Sequence, residues 1–190
     1  SAVAAALDGS IDVTQVFSTY GAFAALRADG SVVTWGSSVF GGNSSAVAAA
    51  LDGSIDVTQV FSSGDAFAAL RADGSVVTWG NTTYGGNSSA VAAALDGSID
   101  VTQVFSTYGA FAALRADGSL VTWGDSAWGG DSSAVASQLT NVVSIANPFT
   151  NDVYVAAAAP PAALSAIDLS DIATGSGGFV INGQCAGDTS

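Results

Sequence analysis

Short runs of β-branched and aromatic residues alternate along the chain with Asp-Gly and Gly-Ser breaks, and the whole pattern returns every 44 residues. Within the first unit these runs predict strands over 11–18, 22–28 and 31–35. The Asp-Gly pair between the last two strands predicts a tight hairpin with a type I′ turn, which needs positive φ at both central residues. Residues 1–7 are small and apolar and fit either a helix or a strand.

The repeat divides residues 1–157 into units. Three are nearly identical, at 1–44, 45–88 and 89–132, and a degenerate fourth unit covers 133–157. A repeat this regular predicts an array in which each unit buries its apolar face against its neighbours. We therefore expect an all-β fold of tandem short antiparallel strands, either propeller-blade-like or solenoid-like, that is open rather than closed within this chain.

Two further segments follow the repeats. An Ala/Pro stretch at 158–166 predicts a linker, and residues 167–190 predict a β-rich tail. The chain begins without Met, and we expect it to be a section of a longer polypeptide.

Composition favours strands over helices and limits the partners. All 16 acidic residues are Asp, all three basic residues are Arg, and the chain has no Glu, Lys, His or Met. Glu and Lys are common on exposed helix faces, so their absence argues against a helical protein. The net charge of −13 excludes nucleic acid as a natural partner, because phosphate binding needs a basic surface. No apolar run is long enough to insert into a membrane.

The residue types also argue against catalysis. General acid–base catalysis most often uses His, Glu or Lys, and zinc sites need Cys and His. Asp pairs such as Asp8 with Asp12 are too sparse for calcium, which takes about six to eight oxygen ligands. We therefore predict no enzyme activity, no metal site and no cofactor.

Aromatic and basic residues form ladders at the repeat period. We interpret the aromatic ladders as core between neighbouring units, with stacking of sugar rings on the tryptophans as the alternative. Each arginine is expected to pair with the aspartate of its own hairpin, at Asp29, Asp73 or Asp117. The ladder residues are Trp35, Trp79, Trp123, Phe23, Phe67, Phe111, Arg27, Arg71 and Arg115.

The loop after the third strand carries one aromatic residue that changes identity between units, as Phe40, Tyr84 and Trp128. A position that stays aromatic while its identity varies is typical of a partly exposed contact, so we predict an interface there. Cys185 is the single cysteine and cannot form an internal disulfide. It is either a free thiol or one half of an intermolecular bridge.

Residues 21–36 read Gly-Ala-Phe-Ala-Ala-Leu-Arg-Ala-Asp-Gly-Ser-Val-Val-Thr-Trp-Gly, and this combination recurs in phase three times. It resembles the core of the regulator-of-chromosome-condensation repeat, and the resemblance covers residues 1 to about 157. The resemblance implies propeller blades. The chain lacks the His that the family usually carries in its second strand and holds fewer repeats than a closed propeller of that family. Only blade geometry is transferred, without the nucleotide-exchange activity of one branch.

Residues 167–188 resemble the lead-in to the integrin-α-like FG-GAP repeats of very large bacterial surface proteins, most clearly at 178–183. The resemblance implies a bacterial exported protein, located outside the cell or at its surface. The calcium loop of such repeats would lie beyond Ser190, so no metal site is transferred.

An open array exposes apolar faces and unpaired strand edges, and exposed edges recruit other chains. We therefore predict a structural, self-associating extracellular protein, such as a section of a surface filament, a matrix or an adhesin, whose partners are copies of itself. The alternative is a ligand-binding propeller module of a larger secreted protein, which would take glycans or proteins through its loop aromatics.

Overall fold

The computed structural model describes residues 2–145 and shows three antiparallel sheets in tandem, each with its three strands in chain order. Sheet 1 contains β1 (Val13–Ser18), β2 (Ala22–Arg27) and β3 (Val32–Gly36). Sheet 2 contains β4 (Val57–Ser62), β5 (Ala66–Arg71) and β6 (Val76–Gly80). Sheet 3 contains β7 (Val101–Ser106), β8 (Ala110–Arg115) and β9 (Leu120–Gly124). The fold of this part of the chain is therefore all-β, tandem and open, which confirms the prediction.

Short helical segments connect the sheets. One α-helix, α1, covers Ala2–Ala6, so the first apolar segment is helical and not a strand. Tighter 3₁₀ turns cover Ser38–Phe40, Ser45–Ala50, Ser89–Ala94, Ser126–Trp128 and Ser133–Gln138. An irregular helical turn covers Thr82–Gly86.

The first strand of each sheet starts later than the apolar pattern predicts. β1 begins at Val13 and not at Ile11, and its pairing with β2 has a bulge between Val13 and Gln15. The carbonyl of Asp12 accepts a hydrogen bond from the Ala28 N–H at 2.9 Å. The backbone at Asp12 is thus tied to the β2–β3 turn and does not extend the ladder of β1.

The β2–β3 hairpin is not the predicted type I′ turn. The Arg27 N–H donates to the Ser31 carbonyl at 2.9 Å, which leaves a three-residue loop. Within this loop only Gly30 has a positive φ, at 73°. Asp29 instead accepts hydrogen bonds from the N–H and the hydroxyl of Ser31, at 3.1 and 2.6 Å. This side-chain turn and the left-handed glycine favour the longer hairpin type.

Each sheet has two apolar faces, because successive residues of its middle strand point to opposite sides. We call the face of sheet 2 that carries Phe67 and Trp79 its front, and the face that carries Ala66 and Ala68 its rear. The front of sheet 2 packs on the rear of sheet 1, and the front of sheet 3 packs on the rear of sheet 2. The core between sheets 1 and 2, called the first core, contains Ala22, Ala24, Leu26, Val32, Leu51, Val57, Val60, Phe67, Ala69 and Trp79. The core between sheets 2 and 3, called the second core, contains Ala66, Ala68, Leu70, Val76, Leu95, Val101, Val104, Phe111, Ala113 and Trp123.

A tryptophan makes a hydrogen bond across each of these two interfaces. The indole N–H of Trp79 donates to the carbonyl of Gly41 at 3.0 Å, and that of Trp123 donates to Gly85 at 3.0 Å. Gly41 has φ of 93°, and a Cβ at this position would lie 2.7 Å from the Phe67 ring. Glycine is therefore required here both by the backbone conformation and by the close approach of the next repeat.

The fourth repeat begins like the others and then shortens. Ser133–Gln138 forms the usual turn, and the Val142 N–H donates to the carbonyl of Gly118 at 2.9 Å. In the second repeat, Val57 donates to Gly30 in the same way. Val57 follows Gly30 by 57 − 30 = 27 residues and Val142 follows Gly118 by 142 − 118 = 24, so the connecting loop is three residues shorter.

Residue 1 and residues 146–190 lie outside the described part of the chain. The rest of the degenerate repeat, the linker at 158–166, the tail at 167–190 and Cys185 therefore stay predictions.

Replacing Phe67 by Ala should lower the free energy of unfolding by about 3–5 kcal/mol, because it opens a cavity in a buried core. Phe23→Ala is the same change at the same repeat position, but Phe23 is 45% exposed, so a loss of about 1 kcal/mol is expected. Urea denaturation followed by circular dichroism measures both values. Equal losses would show that the front of sheet 1 is packed like that of sheet 2.

Candidate interaction surface

The front of sheet 1 is uncovered, although the same residues are buried in sheets 2 and 3. Val16 is 55% exposed, whereas Val60 and Val104 are each 2% exposed. Phe23 is 45% exposed, whereas Phe67 is fully buried. Local sequence is nearly identical in the three units, so the difference comes from the preceding sheet, which sheets 2 and 3 have and sheet 1 lacks among the described residues.

We call Val13, Val16, Phe23 and Trp35 the sheet 1 front. Val13 is exposed and Trp35 is half-buried. The rings of Phe23 and Trp35 stack with centroids 5.4 Å apart and an interplanar angle of 21°. The Phe67–Trp79 and Phe111–Trp123 pairs have almost the same geometry inside the cores. The aromatic ladders therefore have two buried members each and one exposed or half-buried member in sheet 1.

A second surface with open space beside it lies at the opposite end of the described array. On the rear of sheet 3, Ala110 and Leu114 are each 1% exposed, whereas Ala112 is half-buried. Leu139, Val142 and Ile145 follow sheet 3 in the chain and are half-buried. No described atom comes within 4 Å of a Cβ placed on Gly129, whereas a Cβ on Gly85 would lie 2.5 Å from a phenylalanine ring. We call the rear of sheet 3 around Gly129 the Gly129 surface.

The loop aromatics differ in burial along the array. Phe40 packs against the first core and Tyr84 against the second, and both are half-buried. Trp128 is 46% exposed. The structure therefore places two of the three predicted interface residues beside internal cores and only Trp128 clearly at the surface.

Sequence reasoning missed a cluster of aromatic rings on one side of the array. Tyr108 lies at its centre, with ring centroids 5.7 Å from Tyr20, 5.4 Å from Tyr84 and 4.7 Å from Trp128. Tyr20 is 71% exposed. Tyr20 and Tyr108 occupy one position of the repeat, and Tyr84 and Trp128 occupy another. Comparing equivalent positions between repeats therefore does not reveal the cluster.

The middle repeat departs from the others inside this cluster, because Gly64-Asp65 replaces the Tyr-Gly pair of its neighbours. A Cβ on Gly64 would lie 2.9 Å from the Tyr108 ring, so the glycine makes room for that ring. Asp65 is buried, with Oδ2 at 3.5 Å from the Asn81 amide and Oδ1 without a hydrogen-bond partner in the described structure. Such an atom is an exception, because buried polar atoms in folded proteins normally bond to protein groups or to ordered water.

Each ladder arginine lies beside the aspartate of its own hairpin. The Nη1–Oδ2 distances are 3.8 Å for Arg27–Asp29, 3.5 Å for Arg71–Asp73 and 3.7 Å for Arg115–Asp117. Each arginine also donates from Nη1 to the hairpin serine at 3.2 Å. The carboxylates are more than a third exposed, so ion pairs of this kind contribute about 0–1 kcal/mol each.

The hairpin serines act strongly on these carboxylates. The hydroxyl of Ser75 donates to Asp73 Oδ1 at 2.6 Å, and this hydrogen bond is the main reason why the pKa of Asp73 is lowered. The Ser75 N–H and the charge of Arg71 lower the pKa of Asp73 further. The same arrangement lowers the pKa of Asp29 and Asp117.

Within residues 2–145, no group of three or more His, Cys, Asp or Glu side chains could hold a metal ion. In the same range, no helix has both the length and the apolar character that a membrane crossing requires.

No protein-family model matches the chain, and no curated protein matches it. Several solved structures are similar. The ectodomain of the Physcomitrella patens receptor kinase CR4 is 14% identical over 59% of this chain, with a TM-score of 0.41. The CRINKLY WD40 ectodomain of the Arabidopsis thaliana receptor kinase ACR4 is 17% identical over 60%, with a TM-score of 0.40. Yeast RCC1 (Prp20), in a structure with Kap60, is 20% identical over 63%, with a TM-score of 0.43.

These matches span only 28%, 38% and 31% of the three proteins. Matches with such low identity and TM-score are not evidence of function. The fold assignment rests on the strand pairing of the chain itself. The resemblance to FG-GAP repeats falls on residues outside the described part and stays a prediction.

Acidification should destabilise the protein as the hairpin carboxylates become protonated. Their pKa lies below the ordinary value of 3.8 in the folded state, so they stabilise the fold above that pH. This contribution is lost as the pH falls through the lowered pKa. Urea midpoints measured from about pH 5 down to about pH 2 should therefore decrease. A variant with Ser31, Ser75 and Ser119 replaced by Ala should show a weaker pH dependence, and an unchanged slope would contradict the assigned cause.

Proposed function

We propose that this chain is a structural, non-catalytic repeat protein that associates with copies of itself, and that it acts outside the cell. The observation that carries the proposal is the uncovered sheet 1 front. The chain contains no His, Glu or Lys, which fits a structural role better than a catalytic one. The extracellular location is supported by the sequence resemblance of residues 167–188 to bacterial surface proteins.

Association follows from the energetics of the internal interfaces. Fully burying an exposed Val or Phe side chain contributes about 1.5–3 kcal/mol, and Val16 and Phe23, at 55% and 45% exposed, have about half of that still to gain. Sheets 2 and 3 obtain this contribution from the sheet before them, and sheet 1 does not. A second copy of the chain is a partner that can supply the missing cover, and exposed apolar patches of this kind mark interaction sites.

Charge opposes this association. Each copy carries a net charge of −13, so two copies repel one another at low ionic strength. Added salt screens that repulsion and leaves the apolar contact largely intact. Self-association that strengthens with salt is therefore the expected behaviour.

Val16→Asp should abolish self-association, because it places a charge in the centre of the apolar front. Val39→Asp is the matched control, since Val39 is 59% exposed and lies outside the sheet 1 front. Sedimentation velocity over a range of concentrations and salt measures both variants and the original chain. A purely monomeric original chain, or equal effects of the two substitutions, would refute the proposed function.

A second candidate function is glycan binding, which the exposed aromatic cluster around Tyr108 favours. Aromatic rings with exposed faces and polar tips offer large contact areas at low cost in conformational entropy. Under this function the module would bind neutral sugars through Tyr20, Tyr108 and Trp128.

Screening the chain against immobilised neutral oligosaccharides tests this second candidate. Tyr20→Ala should weaken a glycan hit by about tenfold, because loss of one stacked ring removes about 1–2 kcal/mol. Val39→Asp again serves as the surface control. Absence of any glycan hit, or binding that Tyr20→Ala leaves unchanged, would remove this candidate.

A further inference from the structure

We propose that the sheet 1 front of one copy docks on the Gly129 surface of a second copy, in place of that copy's own residues 133–145. This inference rests on the self-association proposed above and names its counter-surface. The two copies would then be joined by the same type of interface that joins neighbouring sheets within one chain.

The described residues show one way to cover the front of a sheet. In both internal interfaces the front of a sheet packs on the Ala-rich rear of the preceding sheet. The packing and hydrogen bonding of the two interfaces are closely similar, and each interface contains an indole–carbonyl hydrogen bond of 3.0 Å. Within the described residues, the front of one sheet never packs against the front of another.

Each end of the described array carries one unpaired half of that hydrogen bond. Trp35 sits where Trp79 and Trp123 sit in later repeats, but its indole N–H has no acceptor in the described structure. Gly129 has φ of 94°, like Gly41 and Gly85, and its carbonyl receives no donor within residues 2–145. Head-to-tail docking pairs these two groups, whereas front-to-front docking pairs neither.

Space for an aromatic ring lies beside Gly129. At the two internal interfaces a Cβ on the equivalent glycine would lie 2.7 Å from the Phe67 ring or 2.5 Å from the Phe111 ring. At Gly129 the same volume holds no described atom. The ring of Phe23 from a second copy has the size and the sequence context to occupy it.

The rear of sheet 3 is not bare, since Ala110 and Leu114 are each 1% exposed, so an incoming copy has to displace what covers them. Residues 133–145 of the same chain are tied to this sheet, because the Val142 N–H donates to the Gly118 carbonyl at 2.9 Å. They occupy the place that residues 45–60 take on sheet 1, but Leu139 and Val142 are half-buried where Leu51 and Val57 are buried. The connecting loop is three residues shorter, and Asn141 adopts φ of 58°, which is uncommon for a non-glycine residue.

A second copy brings the better-fitting segment. Its residues 1–17 have the same sequence as residues 45–61, which cover the rear of sheet 1 internally. Residues 133–145 therefore act as a removable cap that competes with an incoming copy for the rear of sheet 3. Terminal repeats that cap an array in this way are common in repeat proteins.

This geometry joins two different surfaces. Such a heterologous contact leaves one free surface of each kind on every assembly, so further copies add until a ring closes or a filament grows. A front-to-front contact would instead stop at a dimer.

Mixing two blocked variants tests the inference. Val16→Asp removes the docking front, and Gly129→Val fills the volume that the Phe23 ring needs. Each variant alone should sediment as a monomer, and an equimolar mixture should form dimers, because one intact surface of each kind remains. Circular dichroism and urea midpoints establish that both variants are folded.

A third variant tests the cap and does not depend on folding of Gly129→Val. Val142→Asp weakens the cap and should strengthen self-association by about tenfold, the opposite of the effect of Val16→Asp. Val143→Asp is the matched control, since the neighbouring Val143 is 64% exposed.

The outcomes are distinguishable. A monomeric original chain would refute self-association itself. If the chain associates but Gly129→Val and Val142→Asp behave like the original, the counter-surface is wrong and self-association stands. Dimers that form from Gly129→Val alone would establish a front-to-front contact and overturn the head-to-tail assignment.

Discussion

The structure depends on one packing requirement, which is that the front of every sheet needs the rear of a preceding sheet. Sheet 2 shows the requirement fulfilled, because its front packs on sheet 1 and its rear packs on sheet 3. A single sheet with two small apolar faces cannot form a stable core by itself, so the stability of the fold comes mainly from the contacts between neighbouring repeats. The tryptophan–glycine hydrogen bond recurs at both contacts and helps to fix their register.

In such an array the interior and the ends behave differently although their sequences are almost the same. Val16 and Val60 lie in identical local sequence, yet one is exposed and the other is buried. Function therefore has to be sought at the ends, where the packing requirement is unfulfilled, and at positions where one repeat departs from the others. The sheet 1 front and the Gly129 surface lie at the two ends of the array that residues 2–145 form, and the Gly64-Asp65 pair is the place where one repeat departs from the others.

Much of the architecture could be predicted from the sequence, because the 44-residue period places turns and strands in phase. The hairpin type could not, since it depends on the hydrogen bonds from Ser31 to Asp29, which compete with a two-residue turn. The degenerate fourth repeat was predicted, but the three-residue shortening of its loop was not, because the match of Val142 to Val57 appears only in the hydrogen bond that each makes to a glycine carbonyl. The cluster around Tyr108 needed coordinates, since its rings come from unlike repeat positions.

Hydrogen exchange of the four indole N–H groups tests the packing requirement most directly, and nuclear magnetic resonance resolves them in one spectrum. In dilute solution, Trp79 and Trp123 should exchange slowly because their N–H groups are buried and bonded to glycine carbonyls. Trp35 should exchange about as fast as the exposed Trp128, and should become protected as concentration rises. Slow exchange of Trp35 in the dilute monomer would contradict the account, because it would mean that the front of sheet 1 is already covered.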